Sequence, residues 1–80
     1  MSYKLHMNNG DVLFCGDRVD VYYYGGTSFQ TDNQIGIRQG LKCLGCNMQL
    51  IDAMEHPDSY IVNSDMLIPI KNISYIKKES

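Results

Sequence analysis

Residues 18–24 read RVDVYYY, and the fold class turns on them. Val19, Val21 and Tyr23 alternate with Arg18, Asp20, Tyr22 and Tyr24, the two-residue period of a half-buried strand. β-Branched and aromatic side chains suit a pleated surface. Gly25-Gly26 is expected to break the strand. Beyond it, Ser28–Thr31 and Ile35–Arg38 read as a short pair turning at Asp32-Asn33. Upstream, Tyr3–Met7 alternates in the same way. Asn9-Gly10 follows it, flanked by apolar residues, which is a hairpin signal. Asp11–Cys15 is the return strand, and Gly16-Asp17 turns the chain again.

The C-terminal part also reads as strands. Ser59–Val62 leads to a turn at Asn63-Ser64-Asp65, then Met66–Ile70, a corner at Lys71-Asn72, and Ile73–Lys77. Pro69 has no amide hydrogen for a ladder, so its strand belongs at an edge or ends there. Leu41–Glu55 is ambiguous. As a helix, Leu41, Leu44, Met48 and Ile51 share a stripe that stops before Pro57. As a strand, Met48, Leu50 and Met54 share a face that also carries Asp52. Periodicity favours the helix; Gly40 and Gly45 oppose it. The expected fold is one small, mainly β domain over residues 1–80. It is a strongly bent meander or partly closed barrel with one short helix near 41–55.

Eighty residues leave no room for a second core. Such small domains commonly recruit a partner subunit, a metal or a disulfide. Hydrophobic residues make up 44% and the net charge is −2, a composition of folded rather than disordered chains. The longest basic run is Lys77-Lys78, which argues against nonspecific nucleic-acid binding. Charge is uneven, however. Residues 33–50 hold Arg38 and Lys42 and no acid, a candidate basic patch. No apolar run approaches a membrane span, and Met1–Gly10 lacks the apolar segment of a signal peptide. Three cysteines, an odd number, suit reduced thiols, so a cytoplasmic location is expected.

Cys43-Leu44-Gly45-Cys46 has the local spacing of a zinc knuckle. A zinc site needs about four ligands. Only Cys15, His6 and His56 remain as further soft ligands, so the plainer reading of Cys43 and Cys46 is interior packing. A redox pair would want a βαβ setting that the sequence lacks. Tyr22 and Tyr24 share a strand face, with Phe29 nearby. Exposed aromatics mark interfaces or base-stacking platforms; the alternative is that this face packs under another segment. No Gly-rich phosphate loop and no nucleophile–base grouping is present, so no enzyme is expected.

One family resemblance stands beside this reading. Residues 46–55, CNMQLIDAME, resemble the end of the first Sm-like motif, Met-Asn-apolar-x-Leu-x-Asp-Ala-x-Glu. Asn47, Met48, Leu50, Asp52, Ala53 and Glu55 match in order, with Cys46 in the place of Met. Ile68, Ile73 and Ile76 keep the spacing of the second motif, and Asn9-Gly10 with Gly16 resembles the start of the first. Pro69-Ile70 replaces the Arg-Gly of the second motif, Cys43 replaces an acidic residue, and the stretch from Gly16 to Asn47 is longer than usual. The resemblance implies a bent five-stranded sheet, ring assembly by edge pairing, and single-stranded RNA at the pore. Of the RNA-reading residues it carries over only Asn47.

The functional expectation is therefore a non-catalytic binding protein. The first form is an oligomeric Sm-like module that binds RNA or a nucleotide-like ligand through Asn47 and the Tyr22/Tyr24 face, with Arg38 and Lys42 supplying charge. The alternative is a protein-interaction module, such as a small phage-type inhibitor of a host protein. Zinc on Cys43 and Cys46 is the remaining form; otherwise no cofactor is expected.

Overall fold

A computed structural model describes residues 2–79. Seven strands are joined by short turns: β1 (Ser2–Met7), β2 (Val12–Gly16), β3 (Arg18–Gln30), β4 (Ile35–Gln49), β5 (Ser59–Asn63), β6 (Met66–Pro69) and β7 (Ile73–Glu79). One helical turn, α1 (Leu50–Ala53), follows β4, and a 3-10 turn at Ile70–Asn72 precedes β7. The chain is mainly β with one short helix, as expected.

The first hairpin forms where the Asn-Gly signal lies. Gly10 takes φ +94°, a conformation that favours glycine, and the Asn9 side chain accepts the Asp11 amide at 3.0 Å. β1 then pairs with β2 on one edge and with β7 on the other. A second antiparallel sheet has the order β4-β3-β5-β6. Pro69 ends its edge strand, β6, as its missing amide requires.

Only Asp17 separates β2 from β3. One run of chain thus serves both sheets, bending between them. The Leu50 amide donates to the Asp17 carbonyl at 2.9 Å and ties α1 to the bend. Among the described residues the sheets share no ladder, so the barrel is not closed.

Alternation builds the core between the sheets. Tyr3, Leu5 and Cys15 come from the first sheet, Val19, Val21, Ile61 and Ile68 from the second. Leu50 and Ala53 of α1 are fully buried and plug the end where the sheets diverge.

In the middle of the chain one expectation fails and one ambiguity is resolved. Gly25-Gly26 does not break β3; the strand runs through to Gln30. Neighbouring rings cover the glycines instead. A Cβ added at Gly25 would lie 2.7 Å from the Tyr23 ring, and one at Gly36 would lie 2.7 Å from the Phe29 ring. Residues 41–49 are strand, not helix, and only Leu50–Ala53 is helical. β3 and β4 stay in register from Tyr22↔Cys43 to Gln30↔Ile35, and that continuous ladder outweighs the helical period.

β5 supports β3 only over Asp20–Tyr23. From Tyr24 onward, β3 and β4 project as a two-stranded ribbon to the turn at residues 31–34. The molecule therefore measures 56 × 25 × 22 Å. Its radius of gyration is 15.4 Å. A compact domain of this length would have about 12 Å.

Leu50→Ala is expected to lower unfolding free energy by about 2–5 kcal/mol, because it empties a fully buried site. The whole domain is expected to hold only about 4–12 kcal/mol. Ile51→Ala, on the exposed side of the same turn, should stay within about 0.5 kcal/mol of the parent. Urea titration followed by circular dichroism checks both.

Candidate functional site

The register of the ribbon sorts its side chains. Residues directly opposite in an antiparallel pair share a face. Tyr22↔Cys43, Tyr24↔Leu41, Ser28↔Ile37 and Gln30↔Ile35 define one face, turned away from the core. Tyr23↔Lys42, Thr27↔Arg38 and Phe29↔Gly36 define the other.

The outer face is apolar and open. Ile35 is 82% exposed, Ile37 67%, Tyr24 63% and Leu41 46%. It continues onto the body of the sheet through Tyr22↔Tyr60 and Val62↔Leu67. Single exposed apolar residues are ordinary, but a contiguous row on one face marks an interaction surface.

The opposite face carries the cations. The Arg38 guanidinium sits 5.0 Å from the Phe29 ring centroid, and Lys42 Nζ donates to the Gly26 carbonyl at 3.0 Å. Neither has an acidic partner: among the described residues the ion pair formed is Lys4–Glu79, on the other sheet. The five residues expected to form one binding site, Tyr22, Tyr24, Arg38, Lys42 and Asn47, therefore divide. Tyr22, Tyr24 and Cys43 share the outer face; Arg38 and Lys42 lie behind it.

Asn47 occupies a bulge. Val19 pairs with Met48 but Val21 pairs with Gly45, so β4 carries an extra residue there. Asn47 absorbs it with φ +57°. Its amide donates to Asp20 Oδ1 at 2.9 Å, and its carbonyl accepts from Arg18 Nη1 at 2.9 Å. The Asn47 backbone is thus pinned from both sides while the residue stays exposed. Asparagine tolerates this left-handed conformation better than other side chains do.

Cys43 and Cys46 flank the same irregular stretch. Their sulfurs lie 3.1 Å apart, and both residues are exposed. Interior packing is therefore not their role. Among the described residues no third His, Cys, Asp or Glu joins them in a group that could hold a metal ion. His6 instead stacks on Tyr75 with centroids 4.2 Å apart, a packing contact. The hydrogen bond with Cys43, and then the charge Cys43 would carry, push the Cys46 thiol pKa up. Negative charge on the same two sulfurs raises the Tyr22 phenol. Burial raises Cys15.

The depression at the sheet junction, lined by Tyr3, Asp17, Arg18, Gln49, Leu50 and Ile51, holds about 180 Å³. Small-molecule sites run to about 300–1,000 Å³. Two larger depressions, about 290 and 340 Å³, lie at the β1–β2 and β3–β4 turns. No helix among the described residues is long and apolar enough to cross a membrane.

Ile35, Ile37 and Leu41 were not among the residues singled out by sequence. Their signal was present, since Ile35, Ile37, Gln39 and Leu41 keep a two-residue period. Assigning Leu41 to a helical stripe hid it.

No family model matches the chain, and no curated protein or solved structure does.

Two measurements follow from this geometry. Asn47→Gly should leave stability unchanged or slightly raised, whereas Asn47→Val should cost about 1–2 kcal/mol, since a β-branched residue resists positive φ. Alkylation by iodoacetamide at pH 8 should be faster at the exposed Cys43 and Cys46 than at Cys15. Its raised pKa leaves less thiolate at that pH, and Cys15 is also buried. Peptide mapping over time gives the order.

Proposed function

We propose that the chain is a non-catalytic binding module that grips a protein partner with the projecting β3–β4 ribbon. One observation carries this reading: the ribbon extends beyond the support of β5 and exposes Tyr24, Ile35, Ile37 and Leu41 along one face. A free two-stranded ribbon is marginally stable in water, and a row of large apolar side chains on it adds a hydration cost. A partner that covers the row offsets both. The tyrosines suit such a contact, because they bury large area with few rotatable bonds.

A second reading is favoured by the path of the strands. β6, β5, the bent β3/β2 run, β1 and β7 follow one another through consecutive pairings, which suits the bent five-stranded sheet of the Sm-like resemblance. On that reading the exposed Asn47 contacts RNA or a nucleotide-like ligand, and copies associate by their edges. Arg38 and Lys42 lie on the face opposite the tyrosines, so the two would not combine in one stacking-and-charge site. That separation is why the protein-binding reading is preferred.

Photo-crosslinking distinguishes the readings. Benzoylphenylalanine replaces Ile37 in one variant and the exposed Asp58, remote in sequence from the ribbon, in a second. Ultraviolet irradiation of the producing cells is expected to give a polypeptide adduct at position 37 and none at 58. RNA adducts at 37, or rings in light scattering of the purified protein, would favour the second reading. Equal adducts at both positions, or none at either, would overturn the first.

A further inference from the structure

β4 is the outer strand of its sheet, and it is long. It spans Ile35–Gln49, and only the side toward β3 is paired. Long exposed edges are usually blunted by proline, by short length, by bulges or by charged side chains such as lysine. Over Ile35–Cys43 there is no proline and the register with β3 is unbroken; Arg38 and Lys42 are the guard there, and they repel a cationic strand but not an acidic one. This edge can accept one more strand.

Three features of the edge describe what that strand must be. First, Ile37 and Leu41 lie on the outer face, four residues apart, with Gln39 between them. An added strand continues that face best with apolar side chains at alternate positions. Second, Arg38 and Lys42 lie on the other face, also four residues apart, and among the described residues neither meets a carboxylate. Both lean back over β3, toward a ring and a carbonyl. Carboxylates at matching positions of an added strand would sit directly across from them. Third, Gly40 lies between the two cations, with open space where its Cβ would be. The position facing it accepts a side chain of any size.

We infer that β4 is the docking edge for an extended acidic peptide strand, with acidic residues four apart facing Arg38 and Lys42 and apolar residues on its opposite face against Ile37 and Leu41. This rests on the protein-binding reading and specifies its partner. The two acids four apart read the same in both directions, whereas the apolar positions do not, since Gln39 and not a second apolar residue lies between Ile37 and Leu41. A second copy of this chain does not provide it. The acidic residues are Asp11, Asp17, Asp20, Asp32, Asp52, Glu55, Asp58, Asp65 and Glu79, and no two of them are four apart. Pairing β4 with another β4 about Gly40 would instead bring Arg38 against Lys42 of the other copy, and like charges directly opposite destabilise a sheet.

The full chain, labelled with nitrogen-15, is titrated with the capped peptide SVEITVEVS and with its lysine counterpart SVKITVKVS. The acidic peptide is expected to shift the amides of Ile35–Cys43 and to slow hydrogen exchange at alternate ones, as a new ladder requires. The lysine peptide should bind roughly tenfold more weakly or worse, since two cross-strand pairs change from attractive to repulsive. In the variant Arg38→Glu, Lys42→Glu the preference should invert; its own dispersed spectrum shows that it is folded. N-methylation of alternate peptide amides should abolish binding, because a ladder needs those donors.

Equal binding of the two peptides, binding that survives N-methylation, shifts confined to other elements, or no binding at all would each overturn the inference. So would an oligouridylate that perturbs the same β4 amides when the acidic peptide does not. The protein-binding reading fails separately. A polypeptide adduct at position 37 with no peptide binding removes strand addition alone, whereas loss of that adduct removes both.

Discussion

A single bent residue holds the architecture together. Asp17 alone separates β2 from β3, so two sheets are built on one continuous run of chain. Such a bend takes the exposed Asp17 out of both ladders, so its carbonyl must pair with water or with another segment. The structure supplies the partner locally: the Asp17 carbonyl accepts the Leu50 amide. The same contact fixes where α1 begins and drops Leu50 into the core between the sheets. Bend, helix start and core plug are thus one unit, and the sequence places their two halves more than thirty residues apart.

The bend also explains the ribbon. Past Asp17, β3 runs for thirteen residues, whereas β5 backs only Asp20–Tyr23. The remaining length has one neighbour, β4. A two-stranded ribbon cannot bury both faces, so its side chains must suit water, cover one another, or await a partner. The inner face takes the second course, with rings laid over glycines and Arg38 laid over a ring. On the outer face Ile37 lies over Gly26, but the large apolar side chains themselves stay uncovered. Ile35 and Ile37 stand in solvent with more than half their surface open.

The local pattern revealed much of this in advance, and the exceptions have a common cause. The alternation of RVDVYYY gave the buried and exposed sides of β3 correctly, and Asn9-Gly10 gave the first hairpin. The strands after residue 58 and the edge position of Pro69 also follow from composition and backbone chemistry. The Gly25-Gly26 break did not occur because the side chains that cover glycines come partly from across the ladder. Glycine's cost in a strand is visible locally, but its cover is not. Residues 41–49 stayed ambiguous for a related reason. A helical stripe of Leu41, Leu44 and Met48 is satisfied within one segment, whereas the competing strand is stabilised by Tyr22–Gln30, at the far side of the turn. At the candidate site, Tyr22 and Tyr24 were legible from strand period alone. The left-handed Asn47 was not, since the bulge that creates it is a mismatch between two strands rather than a property of either.

The division of the ribbon into an apolar face and a cationic face bears on what kind of surface it meets. A flat partner could cover only one face, and would leave either the isoleucines or the cations without a counterpart. A globular partner with an apolar patch would satisfy Ile35, Ile37 and Leu41 and ignore Arg38 and Lys42. A strand laid along the edge touches both faces at once, because its own side chains alternate. It also satisfies backbone groups that no side-chain contact reaches. Cations held four residues apart on a strand lie about 13 Å apart along it, so they are read by spacing and not by net charge. A weakly acidic domain with two cations on a free edge strand thereby gains selectivity from geometry, while its overall charge of −2 would repel an acidic chain that approached it elsewhere.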